Sequence, residues 1–266
     1  MNSPIDPALV MPDVQASHDT RQLAIQRVGI RDVKHPMLLA TPDGAMPTVA
    51  AWTLTVALPA NQKGTHMSRF IALLDRHRGQ PASLASFSAM AAEMLPLLQA
   101  ERGDITAAFP YFINKEAPIS GVKSLLDYQV QWHAQASAQG VVVQVQVVVP
   151  VTSLCPCSKS ISQYGAHNQR SHVTATVTLT DPALFSLNGL IRTIESQASC
   201  ELWGLLKRTD EKYVTERAYD NPKFVEDLVR DVAAAVASHP GVGHYVVQAE
   251  NFESIHNHSA YAVIEG

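Results

Sequence analysis

Residues 141–151, VVVQVQVVVPV, constrain this chain more than any other stretch. β-Branched side chains lose rotamer freedom in a helix and pack well on a pleated surface, so the run predicts a strand. It is the longest apolar stretch, interrupted by Gln144 and Gln146, and far shorter than the roughly 20 residues of a membrane-crossing helix. Similar segments lie on either side. The stretch 48–58 alternates Trp52, Leu54, Val56 and Leu58; 124–134 alternates Leu126, Tyr128, Val130 and Trp132; 171–180 alternates Val173, Ala175, Val177 and Leu179. Period-two alternation predicts half-buried antiparallel strands, with further strands at 36–41, 104–113, 242–250 and 259–264.

Between strands the period becomes helical. Helices are predicted over 66–78, where Met67, Phe70, Ile71 and Leu74 share a face, and over 84–101, with Phe87, Met90, Met94 and Leu98. A long helix is predicted over 187–206, carrying Cys200 into the core. Another is expected to follow Asn221 as cap and Pro222 at its first position, with Phe224, Val225, Leu228, Val229, Val232 and Val236 as its stripe. The order reads ββααββ twice, joined near Gly140. This predicts an α+β fold of two modules, antiparallel sheets with helices on one face: a flexible arm over 1–25, a first module over 26–139, and a second over 140–266 that holds most of the reactive residues. Unpaired sheet edges invite closure into barrels between subunits, so a homo-oligomer is expected; modules covering each other's edges in a monomer are the alternative.

Twenty Lys and Arg against 24 Asp and Glu leave a net charge of -4, which excludes a general attraction for nucleic acid or anionic membrane. Apolar residues at 46% and charged residues at 17% describe a packed chain, not a disordered one. The first residues lack the basic start and apolar run of a secretory signal. Three cysteines are too few for a disulfide framework. A cytoplasmic protein with reduced thiols is expected.

The reactive residues gather in CPCSKSISQYGAHNQR, 155–170, between two strands. Cys155 and His167 are twelve residues apart, enough for the loop to fold back and present thiolate and imidazole to one divalent ion; sulfur with nitrogen suits zinc. A structural zinc site takes four Cys or His ligands. Two thiols and one His leave room for a carboxylate and a water, as in an open catalytic site. Taken alone, Cys155 and Cys157 suit either a metal seat or strand-end packing. A second group, NFESIHNH at 251–258, places Glu253, His256 and His258 close in sequence; alternation puts the two histidines on one face, suited to proton transfer or to a solvated hairpin. Glu211, in a polar loop DEKYVTER, and Glu226, beside Asp227, read as surface acids when isolated.

The block CPCSKSISQYGAHNQRSHVT, with KGTHMSRF, SGVKSLLDY, ELWGLLKR, DEKYVTERAYDNPKFVEDLVRDVA and NFESIHNHSAYA, resembles the type IB GTP cyclohydrolase I family over 26–261. The resemblance implies a tunnelling fold, with ββααββ modules closed into barrels by oligomerisation, here a tetramer. It implies hydrolysis of GTP to 7,8-dihydroneopterin triphosphate and formate on the way to tetrahydrofolate. It further implies a divalent metal (zinc, or alternatively manganese or iron(II)) held by Cys155, His167 and Glu211, with Cys157 nearby. Glu226 would anchor guanine, and Glu253, His256 and His258 would lie beside the reacting ring. Lys159, Arg170, Lys207, Arg208, Arg69 and Lys123 are the cations available to the triphosphate. Two other readings use the same residues: a thiol enzyme attacking a purine-like nitrile through Cys155 or Cys157, and a non-catalytic metal- or purine-binding protein.

Overall fold

Eight strands form one antiparallel sheet whose spatial order is the chain order: β1 (Ile25–Thr41), β2 (Gly44–Leu58), β3 (Gly103–Glu116), β4 (Lys123–Ser137), β5 (Gly140–Leu154), β6 (Asn168–Leu179), β7 (Val242–Asn251) and β8 (Ala260–Glu265). The computed structural model describes residues 13–266. Residues 1–12 of the expected arm lie outside the described residues. From Gln15 onward that stretch is held by backbone bonds: Gly64 donates to Gln15 at 3.1 Å, Lys63 to Ser17 at 3.1 Å, and Asp19 to Asn61 at 3.0 Å. Helices α1 (Met67–His77) and α2 (Leu84–Leu98) cross from β2 to β3. Helix α3 (Pro156–Ile161) lies between β5 and β6, and α4 (Leu187–Gln197), α5 (Arg208–Asp220) and α6 (Val225–Ala237) lie between β6 and β7.

The expected α+β class is present, as a single sheet. Ser137 pairs with Gly140 across a two-residue turn. Gly140 has φ +119°, a backbone conformation that side chains disfavour. The turn splices β4 to β5, so strands from both halves of the chain share one ladder. Alternation decides which face is buried. Val143, Val145, Val147, Val149 and Val151 of β5 are all buried, as are Val173, Ala175 and Val177 of β6. Burying each valine stabilises the fold by about 1.5 to 3 kcal/mol relative to exposure. Helix α2 packs against β3 to β5, α4 against β5, and α6 against β7 and β8, joining a continuous apolar core. Polar pairs such as Gln146 to Thr176 (2.9 Å) and Gln144 to Thr178 (3.1 Å) cross β5 and β6 on the residues that alternate with this core.

Three expectations are corrected around the second set of helices. The helix predicted over 187–206 stops at Gln197, because Ala198 is extended and Cys200 exchanges backbone hydrogen bonds with Thr152 of β5 at 2.9 and 3.3 Å. Cys200 is buried as expected, but in this bridge and not in a helix; burial, with Glu201 beside it, pushes its thiol up to about 11. Asn221 does not start a helix. It ends α5, and its side-chain amide donates to the Ala198 carbonyl at 2.8 Å. The Lys223 N–H donates to Leu154 O at 3.0 Å, so 222–224 form an extended link and α6 begins at Val225. The segment expected as a polar loop, DEKYVTER, is helical and belongs to α5. Among the described residues no helix is long and apolar enough to cross a membrane.

Candidate active site

The β5–β6 ladder ends on the pair Leu154 and Asn168. One residue further, the Cys155 N–H donates to the His167 carbonyl at 3.1 Å. The register thus continues for one more rung, and directly opposed residues of an antiparallel pair have Cβ atoms about 4.5 to 5.5 Å apart. The twelve-residue loop folds back as the spacing predicted. Its first part is α3, which the periodicity did not reveal. Cys155 is the N-cap, its Sγ accepting from Ser158 N–H at 3.5 Å, and Pro156 stands at the first turn, where its missing N–H costs nothing. The Ser158 hydroxyl donates to Cys155 O at 3.1 Å and accepts the His167 N–H at 3.2 Å, so one serine holds both ends of the loop. Cys155 is half-buried and Cys157, at the second position of α3, is exposed.

His167 is fixed from two sides. Its Nδ1 lies 2.9 Å from Gln169 Oε1 and 3.3 Å from the Ser254 hydroxyl. Sequence reasoning passed over Gln169. Its signal was there: it shares the inward face of β6 with Val173, Ala175 and Val177 and is polar where the pattern calls for an apolar residue. Beneath it Ser171 Oγ lies 2.8 Å from Ser153 Oγ and 2.7 Å from Asn251 Oδ1, all buried, a chain that ties the ends of β5, β6 and β7 together.

NFESIHNH leaves β7 against this floor. The Phe252 N–H donates to Arg170 O at 3.0 Å, extending the ladder, and Ser254 reaches His167. Glu253 is half-buried. His256 and His258 are exposed and stack at 5.1 Å with planes 13° apart; they do lie together, in a loop. Arg170 is exposed, and Arg170, Lys207 and Arg208 make no ion pair among the described residues. Lys159 is engaged: its ammonium donates to Tyr219 O at the end of α5 and sits 4.2 Å from the Tyr219 ring. Arg69 donates to Leu97 O, and Lys123 is 4.0 Å from Glu116.

Helix α5 lies against the loop through Val214 and Ala218, which pack with Leu154, Ala166 and Cys200. Glu211 precedes them by three and seven residues, on the same stripe of the helix. It is exposed, and among the described residues no three His, Cys, Asp or Glu side chains converge closely enough to hold a metal. The chain therefore brings together Cys155 and His167 and leaves Glu211 outside the pair. By donor chemistry the two residues suit a divalent ion: a thiol and, across the last rung of the ladder, an imidazole whose Nδ1 is engaged by Gln169 and Ser254. Glu226 is exposed in the first turn of α6, while neighbouring Asp227 accepts the Phe224 N–H at 3.1 Å.

Among solved structures, the chain is similar to uricase from Arthrobacter globiformis, with a TM-score of 0.51 and 8% identity, covering 91% of this chain and 92% of that one. That likeness concerns the fold alone, which is of the tunnelling type. Among curated proteins it is 72% identical to GTP cyclohydrolase FolE2 of Bordetella petrii over 267 aligned positions, covering 100% of each chain. It is 60% identical to the protein of the same name from Cupriavidus necator over 261 residues, 98% of this chain and 97% of that one. The family described as "Type I GTP cyclohydrolase folE2" matches residues 11–262, and the chain belongs to that family.

Proposed function

We propose that the protein is a GTP cyclohydrolase I that hydrolyses GTP to 7,8-dihydroneopterin triphosphate and formate, an early step of tetrahydrofolate formation, in the cytoplasm. The observation that carries this reading is the full-length 72% identity to a GTP cyclohydrolase. Cys155, His167 and Glu211 hold a divalent ion, zinc or alternatively manganese or iron(II), with Cys157 beside it. Such an ion supplies Lewis acidity, lowering the pKa of a bound water from about 15.7 towards 7. The remaining roles fall to side chains. Glu226 accepts the ring N–H and exocyclic amine of guanine, a donor pair that adenine lacks on that edge. Glu253, His256 and His258 exchange protons with the opening ring. Arg170, with Lys207 and Arg208 at the start of α5, offers cations for the triphosphate that make no ion pair among the described residues; the engagement of Lys159 by Tyr219 makes it a weaker candidate.

The two halves of the chain, 26–139 and 140–266, act as tandem ββααββ modules of a homo-oligomer, a tetramer, whose sheets close into barrels. Support comes from the element order, from β8, which pairs on one side only among the described residues, and from the open position of Glu211. The test is a steady-state assay of GTP that follows fluorescent pterin and formate together, on protein stripped with a chelator and reloaded with a divalent ion. Loss on stripping and recovery on reloading are expected. Full turnover without metal, or no pterin under any loading, overturns the reading.

A further inference from the structure

We infer that Gln169 is a positioning residue: its side-chain oxygen holds the His167 proton on Nδ1 and so turns Nε2, with its lone pair, towards the metal. This rests on the metal reading proposed above. Gln169 is 8% exposed, on the inward face of β6, where its neighbours two and more residues along are Ser171 and then Val173, Ala175 and Val177. A buried amide needs a partner, and the partner is His167 Nδ1 at 2.9 Å. A neutral imidazole carries one proton, so the nitrogen that donates to an acceptor leaves the other with its lone pair free. With its oxygen turned to the ring, as here, the amide accepts the Nδ1 proton and so favours the tautomer whose Nε2 is free. The Ser254 hydroxyl, 3.3 Å from the same nitrogen, can donate or accept and selects nothing. It also belongs to an exposed loop, whereas Gln169 is fixed by a strand paired on both sides.

The probe is Co2+ alone, titrated into the full-length, metal-free protein in competition with a chelator. Affinity and the thiolate-to-cobalt absorption band are the readouts. Gln169→Leu, of similar volume and without an acceptor, should weaken binding by about 10- to 100-fold, as loss of a group that orients a metal ligand does. Gln169→Asn, whose oxygen is drawn back by one methylene, should weaken it likewise and keeps the test open if the leucine variant does not fold. Gln169→Glu, whose two oxygens can only accept, should restore affinity to the wild-type value or above and restore the band. A merely structural glutamine would not be replaced by a carboxylate selectively for metal binding. If Gln169→Asn binds Co2+ as tightly as wild type, or if Gln169→Glu loses as much as Gln169→Asn, the positioning role is wrong while the metal site stands. If instead Cys155→Ala and His167→Ala bind Co2+ as wild type does, the metal reading itself falls and this inference falls with it.

Discussion

Glu226 and Asp227 are adjacent acids with separable tasks. On a helix they point about 100° apart, so only one can face a given pocket. Asp227 is spent locally, accepting the Phe224 N–H that begins α6, while Glu226 is exposed and unbonded to its own helix end. Asp227→Ala should therefore cost about 1 kcal/mol of stability, read as a lower melting temperature, with GTP affinity unchanged. Glu226→Ala should leave the melt unchanged and weaken GTP binding about tenfold or more, since a hydrogen bond to a charged group is worth about 1.5 to 3 kcal/mol. Equilibrium binding beside thermal unfolding separates the two, and the reverse pattern would move the guanine contact by one residue. The cysteines divide in the same manner. Cys157 is exposed, and Cys200 is buried with its thiol held up at about 11. Alkylation of the folded, metal-free protein near pH 8 should modify Cys157 and spare Cys200, as peptide mapping would show; label on Cys200 before unfolding would contradict its placement in the core.

At the scale of elements, legibility followed the width of the apolar stripe. The central strands read correctly because alternate residues are buried along β5, β6 and, from Tyr128 on, β4, and the meeting of Cys155 with His167 followed from a loop tethered to two such strands. β1 was legible only over 36–41, because its first part, from Ile25, buries no residue fully and its pairing is broken by two register shifts. Helix α5 was hidden because it rests on little more than Val214 and Ala218, too narrow a stripe to set a period in a segment as polar as TDEKYVTERAYD. Helix α3 is only six residues long, and Asn221 was read as the start of α6 because a helix end and a helix start use the same small polar residues. Asp210 caps the start of α5 and ties it to the turn at 119–120. Fully buried, it accepts from Lys207 N–H at 2.9 Å, from Ile119 and Ser120 N–H at 2.9 and 2.8 Å, and from the Ser120 hydroxyl at 2.6 Å. Burial opposes its ionisation, but these hydrogen bonds prevail and hold its carboxyl well below the usual range. A folded-state pKa depressed below the unfolded value of about 3.9 contributes stability that is complete above that value and lost as pH falls towards the folded one. Asp210→Asn should then melt lower than wild type at pH 6, with the gap narrowing as pH is taken below about 4. A gap independent of pH would show that ionised Asp210 does not anchor the helix. Because Glu211 is the next residue, the same variant should also weaken metal binding.

Over the whole molecule, the second half grips the first. Lys115 of β3 pairs with Glu195 of α4 at 2.7 Å, both largely buried, and the Tyr128 hydroxyl donates to the same carboxylate at 2.7 Å. Burial and that carboxylate together raise the Tyr128 pKa above its ordinary value. Trp203 donates to Glu116 O at 3.0 Å, and Asp210 clasps the β3–β4 turn. The helices that frame the candidate site are thus braced by a hairpin from the other half, and the outer strands of the sheet are β1, bridged at its end by Ala82, and β8. β8 is short and pairs only with β7 among the described residues. Around the site, Ile161 and Tyr164 on one loop and Ile255 on the other are exposed, the tyrosine almost completely. Unpaired strand edges and apolar loop tips are both unfavourable in a lone chain, and association with further copies would cover both. Sedimentation velocity should accordingly find no dominant 28.9 kDa species at micromolar concentration. Specific activity should fall on dilution in step with dissociation, because Glu211 is exposed and, among the described residues, no three ligating side chains of one chain converge. A chain that sediments at 28.9 kDa and turns over GTP at full specific activity would refute both the oligomer and the need for it.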